Sequence, residues 1–188
     1  MKKVYEFLAT GYEEIEALIP LDVLRRGGVD CKTVSITGNK LVASAHGVNI
    51  EADLLFEEAD LSDADLLMLP GGMPGADNLD AHAALCQALV KQAAEGKMVA
   101  AICAAPKVLG RLGLLKGKKA TCYPGFEKYL DGADYTADLC TIDGNVTTGK
   151  GPAAALPYAY ALLEQLEGKA VAHEVAGGMM YLHLMQAK

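Results

Sequence analysis

Cys103 stands where a nucleophile could work. It follows the continuous apolar run Met98-Val99-Ala100-Ala101-Ile102 and precedes Ala104-Ala105-Pro106. A buried strand would deliver it to a sharp turn. Small neighbours on both sides let the chain bend and leave the side chain uncovered, as at a nucleophile elbow. Pro106 suits the first turn of a following helix, where a missing N–H costs little. Bare amides and the positive end of a helix dipole at that turn favour thiolate. The thiol is therefore expected to ionise below its ordinary value of about 8.5. A buried structural cysteine is the alternative reading of the same residues, since free cysteine is among the most buried residue types.

Two other segments carry groups that chemistry at a thiol would need. Pro70-Gly71-Gly72 follows the apolar run Leu66–Leu69, and its backbone N–H groups could form an oxyanion hole, stabilising charge that develops on a carbonyl oxygen. A simple strand-ending turn is the alternative. Glu13-Glu14-Ile15-Glu16 opens a helical stretch. Glu13 and Glu14 are expected complements of the helix dipole. Glu16 lies at the edge of the apolar stripe and can turn inward. A poorly solvated carboxyl beside a thiolate should hold its proton to a higher pH, and could donate a hydrogen bond to sulfur or move a proton.

These groups need elements to position them. Val4 to Ala9, Lys32 to Ile36, Leu66 to Leu69 and Met98 to Ile102 read as strands; Leu66–Leu69 and Met98–Ile102 are apolar enough to be buried on both faces of a parallel sheet. Glu13 to Arg26 carries Ile15, Leu18, Ile19, Val23 and Leu24 as a helical stripe ended by Gly27-Gly28. Lys40 to Ala52 reads as a two-stranded excursion turning near Ala45-His46-Gly47. Asp80 is expected to cap a helix running to about Ala94. Further helices are expected at Ala104 to Leu112, Ala153 to Glu167 and Lys169 to Ala176, with strands at Lys119 to Thr121, Leu139 to Ile142 and Asn145 to Thr147. This alternation predicts a doubly wound α/β sandwich, with one domain spanning residues 1–188. Ligands bind such sheets outside the C-terminal strand ends, where Gly11–Glu16, Pro70–Gly75 and Cys103 all fall.

The bulk composition narrows the function classes. The chain has 188 residues, 52% apolar and 22% charged, with a net charge of -7. An acidic surface repels phosphate backbones and anionic lipid, so neither nucleic acid nor a membrane surface is an expected partner. No apolar run reaches the roughly 20 residues of a membrane span. The N-terminus reads as a first strand rather than a signal peptide. Five cysteines with no C-x-x-C pair and no export signal imply a reduced, cytoplasmic protein with free thiols. No ligand pair sits at chelating spacing, so no metal site is expected.

Four pieces, Gly11–Ala17 (GYEEIEA), Leu69–Gly72 (LPGG), Ala100–Pro106 (AAICAAP) and Thr148–Pro152 (TGKGP), stand in an order that resembles the ThiJ/PfpI superfamily, in the clade of the Parkinsonism-associated protein deglycase and its bacterial relatives. The resemblance runs from about Lys2 to Ala176. It implies a flavodoxin-like three-layer sandwich with a mostly parallel central sheet, and a homodimer, with Arg25–Gly28 near its interface. It also implies a nucleophile at Cys103, a protonated carboxyl at Glu16 and oxyanion contacts from the backbone of Gly72 and Ala104. Gly71, Met73 and Tyr123 would line the substrate pocket, and no cofactor is needed. Many members carry a histidine after the strand that follows the elbow helix; here Tyr123 takes that place, and a phenol is a poor base near neutrality. His46, His82, His173 and His183 match no family motif and are expected to be structural or surface residues. Ala104 in place of a histidine weighs against a peptidase, and the missing Cys–His–Glu triad against an amidotransferase. Two readings follow: an enzyme acting on small reactive carbonyls, as a glyoxalase or deglycase does, or a stress sensor or chaperone using reversible oxidation of Cys103.

Overall fold

Short apolar runs bounded by Gly, Pro and Asp cannot satisfy their backbone alone and are too short for stable helices, so they pair. The structure, a computed structural model, describes residues 1–187. In chain order its elements are β1 (Lys3–Leu8), α1 (Glu14–Arg26), β2 (Asp30–Ser35), β3 (Leu41–Ala43), β4 (Asn49–Glu51), β5 (Leu54–Leu55), β6 (Leu66–Leu69), α2 (Gly75–Ala81), α3 (Ala83–Ala94), β7 (Met98–Ile102), α4 (Pro106–Arg111), β8 (Lys119–Ala120), β9 (Asp134–Tyr135), β10 (Cys140–Asp143), β11 (Val146–Gly149), α5 (Ala155–Glu167), α6 (Lys169–Gly178) and α7 (Tyr181–Gln186).

Seven strands form one sheet in the order β10-β11-β7-β6-β1-β2-β5. Every neighbouring pair is parallel except the β10–β11 hairpin. Helices cover both faces, giving the flavodoxin-like three-layer sandwich. Alternate residues of each strand feed the two layers. Val4, Ala100 and Ile102 pack with α1, α5 and α6, while Phe7, Val99 and Ala101 pack with α3 and α4. Leu66 to Leu69 are all buried. Each such aliphatic side chain contributes about 1.5–3 kcal/mol by leaving water. The chain runs from β1 to β2 on one side, then crosses to β6 on the other, so strand order reverses at β1. That reversal opens a crevice beyond the C-terminal ends of β1 and β6. Among the described residues no helix is long and apolar enough to cross a membrane.

Several local expectations are corrected. The helix expected from Asp80 is two helices. Asp80 lies inside α2 and pairs with Arg111, while His82 caps α3, its Nδ1 accepting from the Leu85 N–H at 3.1 Å. An imidazole can cap a helix but is not a residue type that signals one. The elbow helix begins at Pro106 rather than Ala104, with Pro106 in its first turn. The strand expected at Lys119–Thr121 pairs with β9 outside the main sheet. The two-residue strands β5 and β9 carry too little pattern to be legible. On α1 the stripe is rotated: Ile15 and Leu18 are exposed, while Glu16, Ala17, Pro20, Val23 and Leu24 face inward. The apolar tail packs partly on the core, its Tyr181 ring 4.7 Å from that of Tyr160, leaving Met180, Leu184 and Met185 exposed.

Candidate active site

β7 is buried and ends at Cys103, whose φ is +64°. A side chain at such an angle costs about 1–2 kcal/mol, so the surroundings must hold it there. Two backbone hydrogen bonds do so. The Cys103 N–H donates to the Gly149 carbonyl at the end of β11 at 2.9 Å, and the Cys103 carbonyl accepts from the Tyr123 N–H at 2.8 Å. The residue is 8% exposed.

Glu16 arrives from the first turn of α1. Glu13 caps that helix, its Oε2 accepting from the Glu16 N–H at 2.7 Å. The Glu13 N–H in turn donates to the Gly71 carbonyl at 2.9 Å, and the Gly71 N–H donates to Glu16 Oε2, also at 2.9 Å. The β6–α2 loop and the start of α1 are thereby fastened together, with the carboxyl fully buried between them. Gly71 makes this possible. A Cβ there would lie 2.5 Å from Glu16 Oε2 and 2.7 Å from Cys103 Cβ, so carboxyl and elbow both close on a bare backbone. Gly72, at φ +89°, presses as closely on Gly11 and Glu13. Its N–H and that of Ala104 lie beside the Cys103 sulfur and favour its charged form.

Burial pushes the Glu16 carboxyl up to about 7. The Glu13 charge acts in the same direction, and contact with the Cys103 sulfur and the Gly71 amide oppose it. Oε1 is buried and makes no hydrogen bond. Burial also raises the Cys103 thiol; the Glu16 charge and hydrogen bond add to this, and the Gly72 and Ala104 amides pull it down. The expectation of a thiol lowered by amides alone is thus corrected: the amides are present, but desolvation and an ionised Glu16 outweigh them. The thiol and carboxyl titrate as one unit. Ionising both would set two negative charges side by side, so the second proton is held more tightly than the first.

Met73 and Tyr123, 45% and 46% exposed, flank the crevice. Cys103, Glu16, Gly71, Gly72 and Ala104 lie together at this end of the sheet. None of the four histidines joins them. His46 pairs with Glu14 at 3.0 Å, His82 is a helix cap, and His173 and His183 are exposed. Sequence reasoning missed the capping role of Glu13; its position three residues before Glu16 is the available signal, weakened because glutamate is an uncommon cap. It also missed Gly149, whose carbonyl binds the elbow from a different strand. Glu13, Glu14 and His46 bring possible metal-ligand atoms within 4.8 Å of one another. A helix cap and an ion pair account for all three, and the positive end of α1 disfavours a cation there.

Residues 2–165 match the model of the DJ-1/PfpI family. The chain is 42% identical to Protein DJ-1 homolog B of Arabidopsis thaliana over 95% of its own length and 41% of that protein, so it spans about two fifths of this plant relative. It is 30% identical to a deglycase of Pyrococcus abyssi over 77% of this chain and 87% of the relative. Among solved structures, oxidised DJ-1 of Toxoplasma gondii superposes with a TM-score of 0.92 at 35% identity, covering 96% of this chain and 98% of that one. With this fold, this elbow and these likenesses, the chain belongs to the DJ-1/PfpI family.

Proposed function

We propose that the protein is a cofactor-free enzyme acting on small 2-oxoaldehydes through Cys103. The observation that carries this reading is the convergence of a strained elbow cysteine, a buried carboxyl held at about 7, and two backbone N–H groups beside the sulfur that favour its charged form. The likeness to a deglycase adds support. The thiolate adds to the aldehyde carbon, forming a C–S bond as the carbonyl electron pair moves to oxygen. That oxyanion rests on the Gly72 and Ala104 amides. Glu16 removes the proton from the former aldehyde carbon and returns it to the neighbouring carbon. The first carbon is oxidised, the second is reduced, and no external oxidant is required. Water then cleaves the C–S bond of the resulting thioester, releasing a 2-hydroxy acid and restoring the thiol. Tyr123 at the mouth can donate a hydrogen bond to the second carbonyl. The same reading includes a homodimer, supported by Ile15 and Leu18 lying exposed on α1 beside the crevice, and a cytoplasmic site of action.

The test is conversion of methylglyoxal to lactate, with sedimentation of the same preparation to read the assembly. The wild type should turn over, Cys103→Ser should be inactive, and Glu16→Gln should lose about 100-fold or more in kcat. A second reading, reversible oxidation of Cys103 as a sensor, is favoured by the oxidised form in which the Toxoplasma relative was solved. No turnover by the wild type, together with rapid peroxide modification of Cys103, would select the sensor.

A further inference from the structure

A groove of about 180 Å³ adjoins the elbow, lined by Tyr123, Pro124, Leu139, Lys150 and residues 151–154. Both of its walls are fastened to the nucleophile. The Tyr123 N–H binds the Cys103 carbonyl at 2.8 Å, and the segment that follows Gly149 begins where the Cys103 N–H donates, at 2.9 Å. The Tyr123 ring leans on Gly151, where a Cβ would meet Cδ2 at 3.2 Å. Leu139 is held against the opposite side by the Lys150 N–H, which donates to its carbonyl at 3.0 Å. The one charge in the lining is turned away, because Lys150 Nζ donates to the Ala137 carbonyl at 2.7 Å. Every other lining side chain is apolar apart from the Tyr123 hydroxyl. Leu139 is 57% exposed, an apolar surface that no described residue covers.

We infer that this groove seats the non-reacting substituent of the substrate and selects 2-oxoaldehydes carrying an aryl or branched-alkyl group. The inference rests on the function proposed above and deepens it. An apolar cavity of about 150 Å³ is enough to hold benzene. A methyl group would leave most of this groove to water, whereas a phenyl ring would displace that water from Tyr123, Pro124, Leu139 and Pro152. One methylene in an apolar site discriminates by about tenfold or more, so a ring that fills the groove should do at least as well. The chemistry is unchanged: the aldehyde carbon is oxidised, its neighbour is reduced, and water releases the aryl hydroxy acid.

Steady-state kinetics on phenylglyoxal and methylglyoxal test it, using wild type and Leu139→Asp. Leu139 is exposed and touches no reacting atom, so the variant should fold. The wild type should favour phenylglyoxal in kcat/KM by about tenfold or more, and Leu139→Asp should lose most of that preference while methylglyoxal changes by less than about twofold. Equal wild-type rates, or an equal fall for both substrates, overturns the inference. An equal fall accompanied by a change in sedimentation would assign the groove to a second copy of this chain. If neither substrate is turned over, the proposed reaction fails, and alkylation still reads the groove. Cys103 should react with phenacyl bromide faster, relative to iodoacetamide, in wild type than in Leu139→Asp; an unchanged ratio overturns the inference.

Discussion

A thiol and a carboxyl buried against each other share their protons. For Cys103 and Glu16 the carboxyl is raised to about 7 by burial, and the thiol is raised by burial and by the charge of that carboxylate. Near neutrality the pair therefore becomes a monoanion. Its charge lies on sulfur whenever Glu16 keeps the proton, and the Gly72 and Ala104 amides favour that arrangement. The closeness depends on Gly71. Gly71→Ala would push a methyl group between Glu16 Oε2 and Cys103 Cβ. It would also meet the Ile102 carbonyl of β7 at 2.9 Å, so turnover and Cys103 alkylation should each fall by about tenfold or more, with the circular-dichroism spectrum and Tm read alongside to separate this from loss of the fold. Retention of wild-type rates would mean that carboxyl and sulfur need not be this close. At this scale much was readable. A cysteine after a buried strand, a Gly-Gly after another and a glutamate at a helix start each name a chemical capacity. The proton balance between them was not readable, because it is set by burial and by through-space charge rather than by residue type.

Two physical rules made the elements legible. Continuous apolar runs became parallel strands, and period-3.6 stripes became helices. The misplacements have local causes. On α1 the buried face includes Glu16, held inward by the Gly71 N–H, which an apolar stripe cannot announce. β1 contains the least legible feature. Glu6 is 1% exposed in the middle of this central strand, with Oε2 unpartnered, and burial raises its carboxyl well above the ordinary range, with the Arg25 charge only partly opposing. A carboxyl whose folded value exceeds its unfolded one favours folding most below the unfolded value of about 4.5, and that advantage is lost as pH rises through the folded value. Glu6 and Glu16 act with the same sign, Glu16 losing its share between about 4.5 and about 7. Glu6→Met should therefore stabilise the fold by about 1–3 kcal/mol, which is several degrees in Tm, and the gain should widen with pH. Melting curves at low and high pH read this directly; a Tm below wild type at both would contradict it.

The whole molecule is organised around the reversal of strand order at β1. That reversal places the loop after β1, the loop after β6 and the elbow after β7 at one end of the sheet, so groups 55 residues apart in sequence, such as Glu16 and Gly71, meet at hydrogen-bond distance. Strand–helix alternation announces such a sheet, but the order of its strands is a long-range outcome that residue patterning does not encode locally. The groove beside Cys103 is illegible for the same reason. Tyr123, Leu139 and Gly151 come from three separate segments and gain meaning only when β11 lies beside β7. The net charge of -7 belongs to this scale as well. It favours neutral or cationic small partners over polyanions.

The most direct measurement is the pH dependence of Cys103 alkylation by a neutral reagent, in wild type and in Glu16→Gln. With proton sharing, the wild-type midpoint should lie under the free-thiol value of about 8.5. Glu16→Gln should move it up by a unit or more, since a lone buried thiol has no carboxyl with which to share the first ionisation. A wild-type midpoint at or above about 8.5, or one that Glu16→Gln leaves in place, would contradict a sulfur made reactive by its buried carboxyl.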